Sequence, residues 1–559
     1  MTPPAFLVRA AMAVYARRFW RPLDEAAAAP DRAQLATLQR LLDANRDTTF
    51  GRAHGFASIR TPADYAACVP VQQYGDLAPL VERQRRTGDA ALTTEAPVFY
   101  AQTSGSTGAP KYIPITPSVL ATTRTEQKVF SYLQYRACPE AFAGPTLGIM
   151  GAAVEGRLDS GHTVGSVSGH LYTSMPRFVK ARFVVPPDVA AVDDYTLKYL
   201  LILRLALETP DITYMGAPNP SSFLRLAALL ESHRDELLRS LATGTFDGLR
   251  ALPRAVRAAV AERLTARPSL AAALERLPSL TFRALWPNVA LVTTWTGGSC
   301  GVALDAVRAM LPDGTRVMEL GYQATEFRGT FALTAESPGG LPSLTHTYFE
   351  FVDDVAWQAG VRDTVPLEAL QAGRRYQVIV TTAAGLYRYF MNDLLEVVDV
   401  YRRTPLLRFV QKGRGVTSLT GEKLYEAQVI EAMSVTARAA GLDASFYLLL
   451  ADEAAAGYAA YIAAPRGWTA PDDFGARLDE ALGARNIEFA AKRASGRLRP
   501  TTVVWVDGRA AEAYVRASVA AGQREGQFKP AVLQYARDLT LPRRELDGFA
   551  HPAAVERAS

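Results

Sequence analysis

Four short apolar runs constrain this chain most: PTLGIMG at 145–151, PDITYMG at 210–216, NVALVTTW at 288–295 and RVMELGY at 316–322. Each has the length of a strand, and the stretches between them carry apolar residues at helical spacing. RYQVIVTT at 375–382 adds a fifth run. Strands alternating with helices in this way predict an α/β fold, a sheet covered by helices. Residues 5–45 read as helical until the glycines of FGRAHGF break the pattern; the Ala-, Leu- and Arg-rich stretch at 221–280 reads as helical, with Phe246 to Leu277 as surface helices.

At VQKGRGVTSLTGEKL, 410–424, three glycines and clustered charge interrupt the body. A helix restarts at Glu426, and the strand-like runs ASFYLLLAD, GYAAYIAAP and RPTTVVWVD then alternate with helices at 473–484 and 509–521. Residues 1–410 are expected to form a large N-terminal domain and 411–559 a smaller, mobile α+β C-terminal domain.

A hydrophobic share of 49% and a charged share of 21% are those of a soluble globular protein. Net charge is only +5, with no block of Lys and Arg interleaved with aromatics, which argues against nucleic acid as a partner. Cys68, Cys138 and Cys300 lie far apart without a C-x-x-C pair, which argues against a disulfide framework and a zinc site and for a reducing compartment. YLLILRLAL from Tyr199 is under half a membrane span and reads as a core helix. The N-terminal stretch lacks a basic n-region and reads as an amphipathic helix. A cytoplasmic monomer or weak oligomer without a membrane partner is expected.

The chemistry concentrates in TSGSTGAPKYIPIT, 103–116, where Gly105 and Gly108 permit close backbone approach, Ser104, Ser106 and Thr107 add donors, and Lys111 adds positive charge. Such a set describes an anion cradle, with a phosphate chain as its guest. The Walker A pattern fits badly, because Pro110 precedes Lys111 and Tyr112 follows it. APVFYAQ and KYIPIT read instead as strands flanking the loop. Two carboxylates are candidates beside it. Glu326 closes ELGYQATE, and one carboxylate next to phosphates is what Mg²⁺ usually takes. Asp393, expected in a turn of YRYFMND, suits the hydrogen bonds of a ribose diol.

A rival reading comes from Gly297, Ser299 and Gly301, which satisfy the G-x-S-x-G of a hydrolase nucleophile elbow between a strand and a helix. Downstream, only His346 in SLTHTYFEF and His551 in the polar tail could serve as its base, and neither follows a late core strand. No histidine pair has metal-ligand spacing.

Taken in order, these pieces resemble the adenylate-forming superfamily, and within it the Gretchen Hagen acyl acid amido synthetases. TSGSTGAPKYIP resembles the first, phosphate-binding motif; Tyr322 to Glu326, YQATE, resembles the Y-x-x-S-E second motif; YRYFMND resembles the third, Y-R-x-G-D. FGRAHGF, VPVQQYGDLAPLVER, YFEF, GEKL and GQFKP extend the likeness from near residue 50 to residue 530. The chain departs from the pattern at Thr325 for Ser, Phe390 for Arg and Asn392 for Gly, and Asn tolerates left-handed geometry. A first loop one residue shorter than the plant form suggests a separate, bacterial branch.

The resemblance implies an ATP-dependent enzyme that adenylates a carboxylic acid and transfers the acyl group to an amine, an amino acid by family precedent. It implies ATP-binding roles for Ser104, Gly105, Ser106, Thr107, Gly108, Lys111, Tyr322, Thr325, Glu326, Asp393 and Arg408, with Glu326 also on Mg²⁺. Lys529 of GQFKP, with Lys111, would be catalytic, its ammonium stabilising charge that develops during activation. Phe130, Ser168, Tyr172, Met215, Gly297 and Gly298 are the expected acyl-binding residues. Transfer to a thiol such as coenzyme A is the nearest alternative, a serine hydrolase on Ser299 one of another class, and a non-catalytic nucleotide-binding module a third.

Overall fold

In the computed structural model the hydroxyl-rich segment is flanked by the two expected strands. β1 (Phe99–Thr103) and β2 (Lys111–Ile115) pair antiparallel, from Phe99 opposite Ile115 to Thr103 opposite Lys111. The structure describes residues 4–103, 111–412, 415–420, 422–465, 467–521, 530–551 and 554–555. Ser104, Gly105, Ser106, Thr107, Gly108 and Lys529 lie outside these residues. Helix α1 (Pro117–Ala137) follows β2, started by the Thr116 hydroxyl, which accepts from the Val119 amide, and by a proline in the first turn.

The four apolar runs form β3 (Thr146–Gly148), β4 (Tyr214–Gly216), β5 (Leu291–Thr294) and β6 (Arg316–Glu319), one sheet with every neighbouring pair parallel and the strands in sequence order. Parallel strands require crossovers, and helices supply them. One is α2 (Tyr195–Leu207), which contains the expected core helix; it is buried on all sides from residue 199 to 207, with Arg204 ion-paired to Glu208 at 2.5 Å.

After β6 the chain makes a short hairpin, β7 (Gln323–Ala324) and β8 (Phe327–Arg328). A seven-stranded, antiparallel sheet follows, with β9 (Tyr389–Tyr401) and β10 (Thr404–Lys412) side by side near its centre. One apolar core joins the N-terminal helices, β1, β2 and this sheet; a second surrounds the parallel strands.

Beyond Lys412, helix α3 (Glu426–Ala439) packs on a four-stranded sheet with cores of its own. It meets the body through Ala427 against Leu394 and Val410, and through an ion pair of Arg225 with Glu512 at 2.7 Å. Among the described residues no helix is long and apolar enough to cross a membrane.

Candidate active site

Because β3 to β6 all run the same way, the loops that follow them leave one edge of the sheet, and in open α/β sheets ligands bind at that carboxyl edge. The loops are tied to one another there. The Trp295 amide donates to the Pro218 carbonyl at 2.9 Å, and the Leu320 amide to the Thr294 carbonyl at 3.1 Å. Glu319, the last residue of β6, accepts from the Thr296 amide at 2.5 Å and from the Gly321 amide at 3.0 Å, and so clamps two loops with one carboxylate. Sequence reasoning missed this residue.

Gly321 leads into the second motif. The Tyr322 hydroxyl donates to Asp393 Oδ2 at 2.7 Å, and its ring lies parallel to Phe409, with centroids 5.9 Å apart. The loop after β5 lies flat against that phenylalanine. Gly298 has φ +57°, and a Cβ on it would come within 3.0 Å of the Phe409 ring; one on Gly297 would be 3.3 Å from the Phe409 carbonyl. Close approach thus explains both glycines.

Asp393 does not sit in the turn expected for it. It lies within β9, where Phe390 pairs with Ile379 and Leu394 with Gln377, so that three residues of one strand oppose one of the other. Asn392 absorbs the bulge with φ +56°, the left-handed geometry that its side chain tolerates. Asp393 is 3% exposed, and its Oδ1 has no hydrogen-bond partner; Lys412 Nζ, across the strand pair, is 3.9 Å away. A carboxyl oxygen left without a partner in a buried place fits a ligand that brings donors, such as a ribose diol. Phe390, where the motif has Arg, stacks on Trp357 at 4.5 Å, with the Arg362 guanidinium over Trp357 at 3.7 Å. An apolar stack has replaced a charge.

Thr325 and Glu326 form the two-residue turn between β7 and β8. Neither has positive φ, which the favoured two-residue hairpin turns require, and the hairpin is only two pairs long. Burial pushes the Glu326 carboxyl up, Lys412 and Lys111 pull it back down, and Asp393 adds repulsion. Lys111, first in β2, reaches Tyr389 Oη at 3.4 Å and lies 5.5 Å from the centre of the Tyr74 ring. Two lysines and two carboxylates therefore converge from β2, the hairpin, β9 and β10, a field suited to polyphosphate with a cation. Tyr74, Tyr389, Phe409 and Lys412 belong to this site and were not singled out from sequence. Their roles depend on contacts between distant segments, and no local motif marks them.

The remaining expected residues are spread. Arg408 is half-exposed on β10, ion-paired with Glu396 at 2.9 Å. Phe130 is buried on α1 beneath the Arg328 guanidinium, 4.8 Å away, and Met215 is buried in β4. The Tyr172 hydroxyl donates to the Val185 carbonyl at 2.5 Å, and Ser168 Oγ is 3.3 Å from Ser166 Oγ. Ser299 follows β5 in a 3₁₀ turn, Gly298–Ala303, whose positive φ falls on Gly298 and not on the serine. A strained nucleophile elbow is absent there. His346 sits in a turn, not a strand, and its neighbour Arg40 donates to the Thr345 carbonyl at 3.0 Å. Burial, helped by Arg40, holds the imidazole down to about 4.

The class follows from fold and site together. The chain shares its fold with 2-hydroxyisobutyryl-CoA ligase in the postadenylation state, at TM-score 0.55 and 13% identity over 93% of this chain and 92% of that one. It has the fold of adenylate-forming enzymes. Within that class the likeness sharpens: an AtGH3.15 acyl acid amido synthetase in complex with 2,4-DB superposes at TM-score 0.84, 19% identical, over 96% of each chain. The GH3 family N-terminal, central and C-terminal domain models match residues 20–316, 340–412 and 427–538, and the chain belongs to the GH3 family. Its relatives include indole-3-acetic acid-amido synthetase GH3.10 of Arabidopsis thaliana, 24% identical over 70% of this chain and 73% of the relative. Another is the probable indole-3-acetic acid-amido synthetase GH3.12 of Oryza sativa subsp. japonica, 27% identical over 70% and 71%.

Proposed function

We propose that this acyl acid amido synthetase activates a carboxylic acid with ATP and passes the acyl group to the amine of an amino acid, releasing pyrophosphate and AMP. A free carboxylate would have to expel oxide to form an amide; joining it to AMP supplies a good leaving group. The observation that carries the reading is the open, buried Asp393 Oδ1 in a site that also brings Lys111, Lys412 and Glu326 together.

The residues divide the work. Asp393 accepts from the ribose hydroxyls, and Tyr322 fixes it by occupying its other oxygen. The backbone at Gly297 and Gly298, with Tyr322 and Phe409, offers a flat wall for the base. Lys111 and the hydroxyls of Ser104, Ser106 and Thr107 neutralise and orient the phosphates, with Thr325 beside the reacting one. Glu326 would hold Mg²⁺, which would neutralise phosphate charge. Lys529 stabilises charge as the carboxylate attacks. Phe130 and Met215 line the acid.

Pyrophosphate release in the presence of ATP and a panel of carboxylic acids tests this. Lys111→Ala and Glu326→Ala should each lower it by about 1,000-fold or more, since each removes charge aimed at the transferring group. Product mass analysis with pooled amino acids against coenzyme A then decides between amide and thioester.

A further inference from the structure

Two residues beyond Glu326, the hairpin carries a second charge that the reaction as described does not use. Arg328, at the end of β8, lies with its guanidinium 4.8 Å from the centre of the Phe130 ring and 5.2 Å from that of Phe331. One hydrogen bond holds it, from Nη1 to the Leu320 carbonyl at 2.9 Å. Its Nε and Nη2 have no protein acceptor, yet they are not among the orphaned buried atoms, so on a half-buried side chain they keep some access to solvent. Among the described residues no carboxylate comes within ion-pair distance of it. The one whose field reaches it, Glu126 on α1, accepts from the Ser343 hydroxyl at 2.7 Å and is pushed by burial up to about 7. Burial thus favours its uncharged form.

The surroundings give Arg328 a direction. The main charges acting on Glu326 are Lys412, Lys111 and Asp393, whereas Arg328 acts on Glu126 and Tyr214. Tyr214, half-exposed in β4, has its hydroxyl fixed by Gln134 at 2.6 Å and Thr293 at 2.7 Å. Arg328 thus faces α1 and β4, away from the phosphate end. A partly buried guanidinium without an anion is costly, and its planar fork matches a carboxylate with two parallel hydrogen bonds.

We propose that the acyl pocket reads a second carboxylate: the substrate is a dicarboxylic acid, activated at one end beside Glu326 and Lys111 and gripped at the other by Arg328, between Phe130 and Phe331. This rests on the ligase reading above and names its acid.

The test pairs straight-chain and aromatic dicarboxylic acids with their monocarboxylic counterparts, adipate with hexanoate and terephthalate with benzoate, in pyrophosphate release by the full-length protein. At least one diacid should exceed its partner in kcat/KM by on the order of 100-fold, because a site built to bond a polar group rejects the analogue that lacks it. In Arg328→Met that ratio should collapse to within a few fold, and in Arg328→Lys, which keeps the charge without the fork, it should fall in between. Equal rates on paired acids, a preference for monoacids, or a ratio that survives in both variants would overturn the proposal. So would equal loss with both acids, which would make Arg328 an anchor of the reacting carboxylate. If no acid supports release, calorimetry on protein loaded with a non-hydrolysable ATP analogue separates the two failures. Tighter binding of diacids that is lost in Arg328→Met keeps the pocket and sinks the ligase, and undiscriminating or absent binding sinks both.

Discussion

Arg388 and Arg328 both carry a charge into the same body, and their surroundings treat them in opposite ways. Arg388, 6% exposed and with φ +44°, makes four hydrogen bonds and an ion pair through its guanidinium. Nε and Nη2 grip Glu350 at 3.0 and 2.9 Å, Nη1 donates to the carbonyls of Ala66 and Val69, and Nη2 also reaches Thr364. Arg328 makes one hydrogen bond. A saturated charge ties segments together: Arg388 joins the end of the 62–68 helix to the seven-stranded sheet. An unsaturated one is a receptor, kept open by the same fold.

The comparison predicts stability first. Arg388→Met leaves Glu350 buried without its partner and should cost about 3–5 kcal/mol in chemical unfolding, whereas Arg328→Met should cost under about 1 kcal/mol. Equal costs would break the distinction. The next effect concerns Glu126, which the comparison treats as no partner of Arg328. Its folded carboxyl holds the proton more tightly than the ordinary 4.5. Its stabilising contribution is therefore present below pH 4.5 and is lost as pH rises toward about 7. Glu126→Gln, which still accepts from Ser343, should raise stability at pH 8 by up to about 3 kcal/mol and leave it nearly unchanged at about pH 4. Destabilisation at pH 8 would instead show that Glu126 and Arg328 work as a buried pair.

How far the sequence led depends on how local each feature is. The four apolar runs became the four parallel strands, and the stretches on either side of the hydroxyl-rich loop formed strands as expected, because period and length are properties of a segment. Left-handed geometry at Asn392 was legible for the same reason. Asp393 was misread because Asn and Asp favour turns, while pairing with both neighbouring strands converts the irregularity into a bulge. Glu319, Tyr389, Phe409 and Arg328 act through partners distant in sequence. Only Arg328 left a trace, a lone cation in the apolar run FRGTFAL.

Smaller effects probe the nucleotide side of the site, where Asp393 resembles Arg328 in having one end fixed and the other open. Tyr322→Phe removes the donor to Asp393 Oδ2 but keeps the ring on Phe409. One hydrogen bond to a charged group is worth about 1.5–3 kcal/mol, so KM for ATP should rise roughly tenfold or more while KM for the acid stays put. A shift in the acid's KM of the same size would place Asp393 on the wrong substrate.

The smallest effect is expected at Ser299, and it separates a motif from a site. Its G-x-S-x-G pattern lies in the loop clamped by Glu319 through Thr296, yet the strained backbone that would present a nucleophile is missing, because the left-handed residue is Gly298. Gly298 takes that conformation at little cost and is needed for the close approach to Phe409. Ser299→Ala should therefore leave pyrophosphate release within about twofold, since most substitutions outside a named mechanism are nearly neutral. Gly298→Ala should weaken ATP binding, since a Cβ at 3.0 Å from the Phe409 ring pushes on the wall that Tyr322 also stacks against. If the serine variant failed and the glycine variant did not, the loop would be chemistry and not a platform.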